Sequence, residues 1–328
     1  MAALEGFPMT REESDFLDKE SPAGVTLFKR NIPPAFPQLK DALVSMQSLG
    51  DSSLPKIIAI DQEGGRVSRI QAPFPNLGPA MELAGGGVQD SDLAFLENYG
   101  FIVGASLQGL GINCNFAPVA DVLTNAENHA IGDRTFAKEA QPAADRAGAF
   151  LKGMSQTGVL GCLKHFPGQG DAGVDTHKAG ASINASLELL NKRELLPFRQ
   201  LLEQTPMVMI SHAVFESLDT VQASLSKKII EGLLRQEMGF KGVVVSDDFN
   251  MHAVPQDEGG WQAALIEAIL AGTDLLLVCK GLDRCKMALE AMRREAAKSK
   301  AFEKRLEEAA GRVTLLRKSI TPHFAPAS

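Results

Sequence analysis

The chain has 328 residues, 45% of them hydrophobic, with a net charge of −7 and a pI of about 5.5. That is enough apolar material for a large core, yet no run approaches the ~18 apolar residues of a membrane span. An acidic balance without basic clusters argues against nucleic acid or an anionic membrane surface as partner. Residues 1–8 have neither a basic n-region nor a long apolar h-region, so no signal peptide is expected and a cytoplasmic location fits best. Cys114, Cys162, Cys279 and Cys285 show no C-x-x-C spacing, and the three that sit in apolar strand-like runs read as small buried core residues.

In chain order, apolar runs alternate with helix-period segments. A short strand is expected around 2–4. Thr10, with Glu13 three residues on, then carries the capping-box signature of a helix start. A strand over 24–28 and a helix over 37–49, with Pro at its start, precede a buried strand over 56–60 that ends in Asp61. A long helix over 93–110 leads to a strand over 112–117, with Pro118 and Asp121 beyond it. A helix over 138–157 leads to the strand 158–163, which ends abruptly in Lys164 and His165. Next come a helix over 187–202, a strand over 207–210 ending in Ser211 and His212, and a helix over 227–237. The strand 242–245 ends in Ser246, Asp247 and Asp248. A helix over 261–270, a strand over 274–278 and two charged amphipathic helices close the chain.

Seven or eight βα units without a linker or low-complexity break predict one α/β domain over 1–328, a single (β/α)8 TIM-type barrel. An open doubly wound sheet fits less well, because no G-x-G-x-x-G runs from a strand into a helix. In a barrel every C-terminal strand end faces one mouth, so Asp61, Lys164, His165, His212 and Asp247 can surround one polar pocket. Arg134 joins them from the long connection after 112–117.

Asp247 follows the apolar run 243–245 and is expected to be rigid. An ionised, rigid carboxylate suits nucleophilic attack on an anomeric carbon. Asp248 reads at least as well as a cap for the next helix. The glycine-rich segment 167–180 reads as a mobile active-site loop. Within it Asp175 and His177 stand two apart, so both side chains can point the same way in an extended segment. The neighbouring carboxylate favours imidazolium, which suits His177 to give a proton and take it back. Lys164, His165 and Arg134 are donors for sugar hydroxyls or an amide carbonyl, with His212 grouped among the substrate-binding candidates; Asp61 is an acceptor. No H-x-H or H-E-x-x-H occurs and Lys164 would repel a cation, so neither a metal nor another cofactor is expected.

Together the motifs Asp61-Gln-Glu-Gly-Gly-Arg-Val, Asn115-Phe-Ala-Pro-Val-Ala-Asp121, Ile131-Gly-Asp-Arg-Thr-Phe136, Lys164-His-Phe-Pro-Gly-x-Gly-Asp171, Asp175-x-His177 and Ser246-Asp-Asp248 resemble glycoside hydrolase family 3. They look most like its bacterial β-N-acetylglucosaminidases. The resemblance implies a (β/α)8 barrel and a retaining, metal-free hydrolysis through a glycosyl-enzyme. It implies Asp247 as nucleophile, His177 paired with Asp175 as acid/base, and Asp61, Arg69, Arg134, Lys164 and His165 as ligands of the N-acetylglucosamine. The family's loop usually reads Pro-Gly-His-Gly; here Gln169 takes the place of that histidine. The likeness further implies a small glycan or muropeptide substrate released during cell-wall recycling, and a monomer is expected. A β-glucosidase, a glycosyl phosphorylase and a non-catalytic sugar-binding module are the alternatives. About 80 residues follow Asp247 and read as the last barrel units. They leave no room for the second domain that the family's glucosidases carry.

Overall fold

Seven parallel strands lie side by side in chain order: β1 (Gly24–Leu27), β2 (Ile57–Ile60), β3 (Cys114–Asn115), β4 (Leu160–Phe166), β5 (Met207–Ile210), β6 (Val243–Asp248) and β7 (Leu275–Leu277). The structure, a computed structural model, describes residues 1–83, 90–173 and 180–321. Ala2 closes the ring by bridging in parallel to Val25 of β1 and to Val278 just beyond β7. Its carbonyl accepts from Thr26 N at 2.8 Å, and Met1 O accepts from Val278 N at 3.1 Å. The strand expected around 2–4 is therefore a single bridged residue. With it the seven strands form an α/β barrel of the TIM type, wrapped by helices.

Period-2 alternation sorts each strand's side chains into two cores. Ile57 and Ala59 of β2, Leu160 and Cys162 of β4, and Val243 and Val245 of β6 fill the barrel interior together with Phe116 and Met209. Val313 and Leu316 of the helix Lys300–Ser319, and Ile320 just after it, belong to the same cluster. The alternate residues Ile58, Ile60, Leu163, Val208, Ile210 and Val244 pack outward against the helices. All four cysteines are buried free thiols, the three in apolar runs as expected.

Several elements depart from the sequence expectation for identifiable reasons. β3 is only two residues long because side-chain amides replace part of its ladder to β2. Asn113 Oδ1 accepts from Ile58 N at 2.8 Å and Asn115 Oδ1 from Gln62 N at 2.9 Å. The helix expected over 187–202 is split into Leu187–Lys192 and Leu195–Leu201. Pro197 explains the break, since its ring opposes the carbonyl of Arg193 four residues back and it has no N–H to give. β4 and β6 run further than expected, so Lys164, His165 and Asp247 sit within strands rather than after them. Among the described residues no helix is long and apolar enough to cross a membrane.

Candidate active site

The interior register of three strands changes from apolar to charged at the C-terminal end. Asp61 follows Ile57 and Ala59; Lys164 follows Leu160 and Cys162; Asp247 follows Val243 and Val245. All three line one cavity of about 390 Å3, together with Glu63, Arg69, Arg134, His165 and Asp248. His165 departs from the alternation: it lines the cavity beside Lys164, and the peptide joining the two is cis.

A β-hairpin inserted after β2 supplies one wall, with Gln62–Gly64 pairing antiparallel to Val67–Ser68. Its turn needs glycine, for Gly65 has φ +54° and a Cβ there would lie 2.7 Å from Pro79 Cα. Gln62 ties the hairpin's return, its Oε1 accepting from the backbone N–H groups of Arg69 at 2.9 Å and Ile70 at 3.1 Å. Arg66 fastens the hairpin to the loop that carries Arg134. It donates to Asp133 Oδ1 at 2.7 Å and to the carbonyls of His129, Ala130 and Ile131.

Between these elements runs a chain of alternating charge. Arg69 Nη2 meets Asp61 Oδ2 at 3.1 Å, and Lys164 Nζ meets Asp61 Oδ1 at 2.8 Å and Glu63 Oε1 at 2.6 Å. Glu63 takes a bidentate guanidinium, Arg134 Nε and Nη2 each lying 2.8 Å from one of its oxygens. Arg134 Nη2 then lies 3.5 Å from His165 Nε2, and His165 Nδ1 lies 2.7 Å from Asp121 Oδ2. Arg69 also lies over the Phe28 ring, 5.5 Å from its centroid.

Burial alone would push these carboxyls toward neutrality; their cations outweigh it. Lys164 and Arg69 hold Asp61 below the usual carboxylate range, and Arg134 and Lys164 hold Glu63 at about 2. Desolvation works against the Lys164 ammonium, but Asp61 and Glu63 prevail and raise its pKa. The cavity wall is thus permanently ionised near neutral pH, with fixed donors and acceptors of the kind that paired hydroxyls and an amide recognise.

Two of these residues, Glu63 and Asp121, lie inside sequence motifs but had no role in the sequence reading. Their signal was adjacency: Glu63 stands two residues from Asp61, and Asp121 three after Pro118.

Asp248 caps no helix. The next one, Glu258–Ala271, is capped by Asp257. Asp248 Oδ1 instead accepts from the backbone N–H groups of Asn250 and Cys279, each at 3.0 Å, tying the end of β6 to the residue after β7. His212 does not line the cavity. It shares the outward parity of Val208 and Ile210, is 1% exposed, bonds Ser224 Oγ through Nδ1 at 2.7 Å and meets the Phe249 ring edge-on. Burial lowers its pKa against the pull of Asp247 and Asp248. Gln169 is buried as well. Its N–H donates to Asp121 Oδ1 at 2.8 Å, and its Oε1 accepts from Ser211 Oγ at 2.7 Å. Asp175 and His177 lie outside the described residues.

A parallel barrel with one charged mouth at its C-terminal strand ends defines the class as that of the (β/α)8 enzymes. Comparison with known proteins gives the family. Residues 2–316 match the model of the glycosyl hydrolase family 3 N terminal domain, and the chain belongs to that family. A β-hexosaminidase of Methylococcus capsulatus is 35% identical over 317 residues, 95% of this chain and 91% of its own length. A β-N-acetylhexosaminidase of Beutenbergia cavernae superposes with a TM-score of 0.86 at 28% identity, covering 97% of this chain and 96% of that one. A family 3 β-N-acetylglucosaminidase of a Paenibacillus species has a TM-score of 0.90 at 31% identity; all of this chain is covered but only 63% of that longer one.

Proposed function

We propose that the chain is a retaining β-N-acetylglucosaminidase that releases terminal non-reducing N-acetylglucosamine through a covalent glycosyl-aspartate. The observation that carries this reading is that Asp247 ends the interior register of β6 on the same cavity as Asp61, Arg134, Lys164 and His165. In the proposed reaction Asp247 attacks the anomeric carbon while the leaving oxygen takes a proton from His177, oriented by Asp175. Water then cleaves the glycosyl ester, with His177 taking the proton back. Arg69, Arg134, Lys164 and His165 serve as donors and Asp61 as acceptor around the sugar. The names of the relatives support the acetamido sugar. The expected source, a cell-wall muropeptide fragment, rests on the resemblance alone.

The test compares 4-nitrophenyl β-glycosides of N-acetylglucosamine and glucose. Preference for the acetamido sugar, abolished in Asp247→Ala with the fold intact, is the expected result. Equal turnover of both, or near-normal turnover in Asp247→Ala, overturns the reading.

A further inference from the structure

We infer that Glu63 is the positioning residue of this site, holding Arg134 and Lys164 at the angle and spacing from which they engage the substrate. The inference rests on the function proposed above and extends it to a residue with no part in the reaction steps.

Glu63 reaches the cavity wall, yet its side chain is only 4% exposed. Its two oxygens are filled by cations: Oε1 accepts from Lys164 Nζ at 2.6 Å and Arg134 Nη2 at 2.8 Å, and Oε2 accepts from Arg134 Nε at 2.8 Å. Little acceptor capacity is left for a sugar hydroxyl. Asp61 differs, for its side chain keeps 17% exposure and it bonds one cation per oxygen, so it can still take a ligand's donors.

The two cations come from unrelated parts of the chain. Lys164 stands on β4 and Arg134 at the end of a short turn (Gly132–Arg134), while Glu63 stands on the hairpin after β2. The backbone does not join the hairpin to β4 at this point; the carboxylate does. Removing its charge would leave two buried cations, 1% and 9% exposed, facing one another. Among the described residues Arg134 would then keep the Ala130 carbonyl through Nη1, at 2.9 Å, and the contact with His165. A buried charge stripped of its partner either moves toward water or loses its proton. An arginine stays protonated, so Arg134 should swing away and Lys164 should ionise less readily.

The charged groups that act on Lys164 are Asp61 after β2, Glu63 on the hairpin and Arg134 on the loop; Asp247 of β6 and His165 share its cavity, and the thiols of Cys114 and Cys162 lie on β3 and β4. Asp61 and Glu63 are the two carboxylates that raise the Lys164 pKa. Glu63→Gln keeps size and one acceptor oxygen, sets an amide NH2 against a cation in place of the other, and removes one of these two charges.

The experiment is Glu63→Gln in the full chain, with thermal melting to confirm folding. Kinetics on 4-nitrophenyl β-N-acetylglucosaminide and NMR titration of lysine labelled with 13C at Cε are the readouts. The expected result is a KM raised about tenfold or more, with kcat falling less, and Lys164 titrating at lower pH than in the parent protein. A folded variant with unchanged KM and an unchanged Lys164 titration overturns the inference. Should Glu63→Gln fail to fold, Glu63→Asp replaces it. The shorter acid keeps the charge, so Lys164 should titrate as in the parent while KM still rises; an unaltered KM overturns positioning. If the parent protein does not cleave the glycoside, the proposed function fails on its own, and the lysine titration still decides whether Glu63 holds the cation.

Discussion

Asp121 and His165 meet as a buried pair, Oδ2 to Nδ1 at 2.7 Å, and this contact decides which imidazole nitrogen faces the cavity. A carboxylate oxygen accepts, so in this contact Nδ1 is the donor and Nε2 is turned toward Arg134 at 3.5 Å. The second Asp121 oxygen accepts from two backbone N–H groups, His165 at 3.3 Å and Gln169 at 2.8 Å. One carboxylate thus fixes a side chain and the turn behind it. In Asp121→Asn the amide can offer either an acceptor or a donor, and the imidazole can lose its orientation. We expect a folded protein whose kcat/KM is lower by about two orders of magnitude, as for a misplaced contact group. 15N shifts of His165 should report a changed tautomer. Retained kcat/KM with a scrambled tautomer would show that His165 orientation does not matter.

The ionised wall also gives stability a direction with pH. Asp61 and Glu63 have carboxyls lowered in the folded chain, Glu63 to about 2, against unfolded values near 4. Their stabilisation is therefore fully present above about pH 4.5 and is lost as pH falls toward 2. Melting temperature should drop across that window. Glu63→Gln should be less stable than the parent at pH 7, and the gap should narrow in acid, because the parent alone has that charge to lose. A gap independent of pH between 7 and 3 would mean that the Glu63 charge contributes nothing to stability.

How much of this was legible in the sequence depends on whether parity held. Asp61, Lys164 and Asp247 could be found because each continues an apolar alternation by two residues. The same rule, applied to β5, would have turned His212 away from the mouth, since it shares the parity of Val208 and Ile210 that pack outward. His165 lines the cavity against parity, beside a peptide bond that is cis, which no spacing rule reveals. Glu63 was hidden because the residues after β2 read as a strand end, whereas they fold back as a hairpin. The closure of the barrel through Ala2 was weakly signalled, since one bridged residue has no periodicity to detect.

Gln169 stands where the family loop usually has histidine, and its contacts give it a structural task. Its side chain accepts the Ser211 hydroxyl, and its backbone carbonyl accepts from Asn128 Nδ2 at 2.7 Å. Gln169→Ala should leave that hydroxyl without its acceptor in a site 2% exposed, at a cost of about 1–3 kcal/mol. Denaturant unfolding measures the loss. A stability within experimental error of the parent would mean that Ser211 finds another acceptor at no cost.

The residue after it is the tightest point of the segment leading away from β4. A Cβ on Gly170 would lie 1.7 Å from Val122 O, a backbone atom that cannot swing aside, whereas one on Gly173 meets nothing within 4 Å among the described residues. Gly170 O also accepts from Asn125 N at 3.3 Å and Asn128 Nδ2 at 3.2 Å, so the close approach is fastened from both sides. Gly170→Ala must push the 121–128 segment and this turn apart, at about 1–3 kcal/mol or more. Because Asp121, the anchor of His165, sits next to Val122, activity should fall together with stability. Gly173→Ala should alter stability by no more than ordinary surface substitutions, about 0.5 kcal/mol. Scanning calorimetry and kcat/KM on the pair separate steric contact from a general effect of replacing glycine. Equal behaviour of the two variants would show that the backbone around Val122 yields freely.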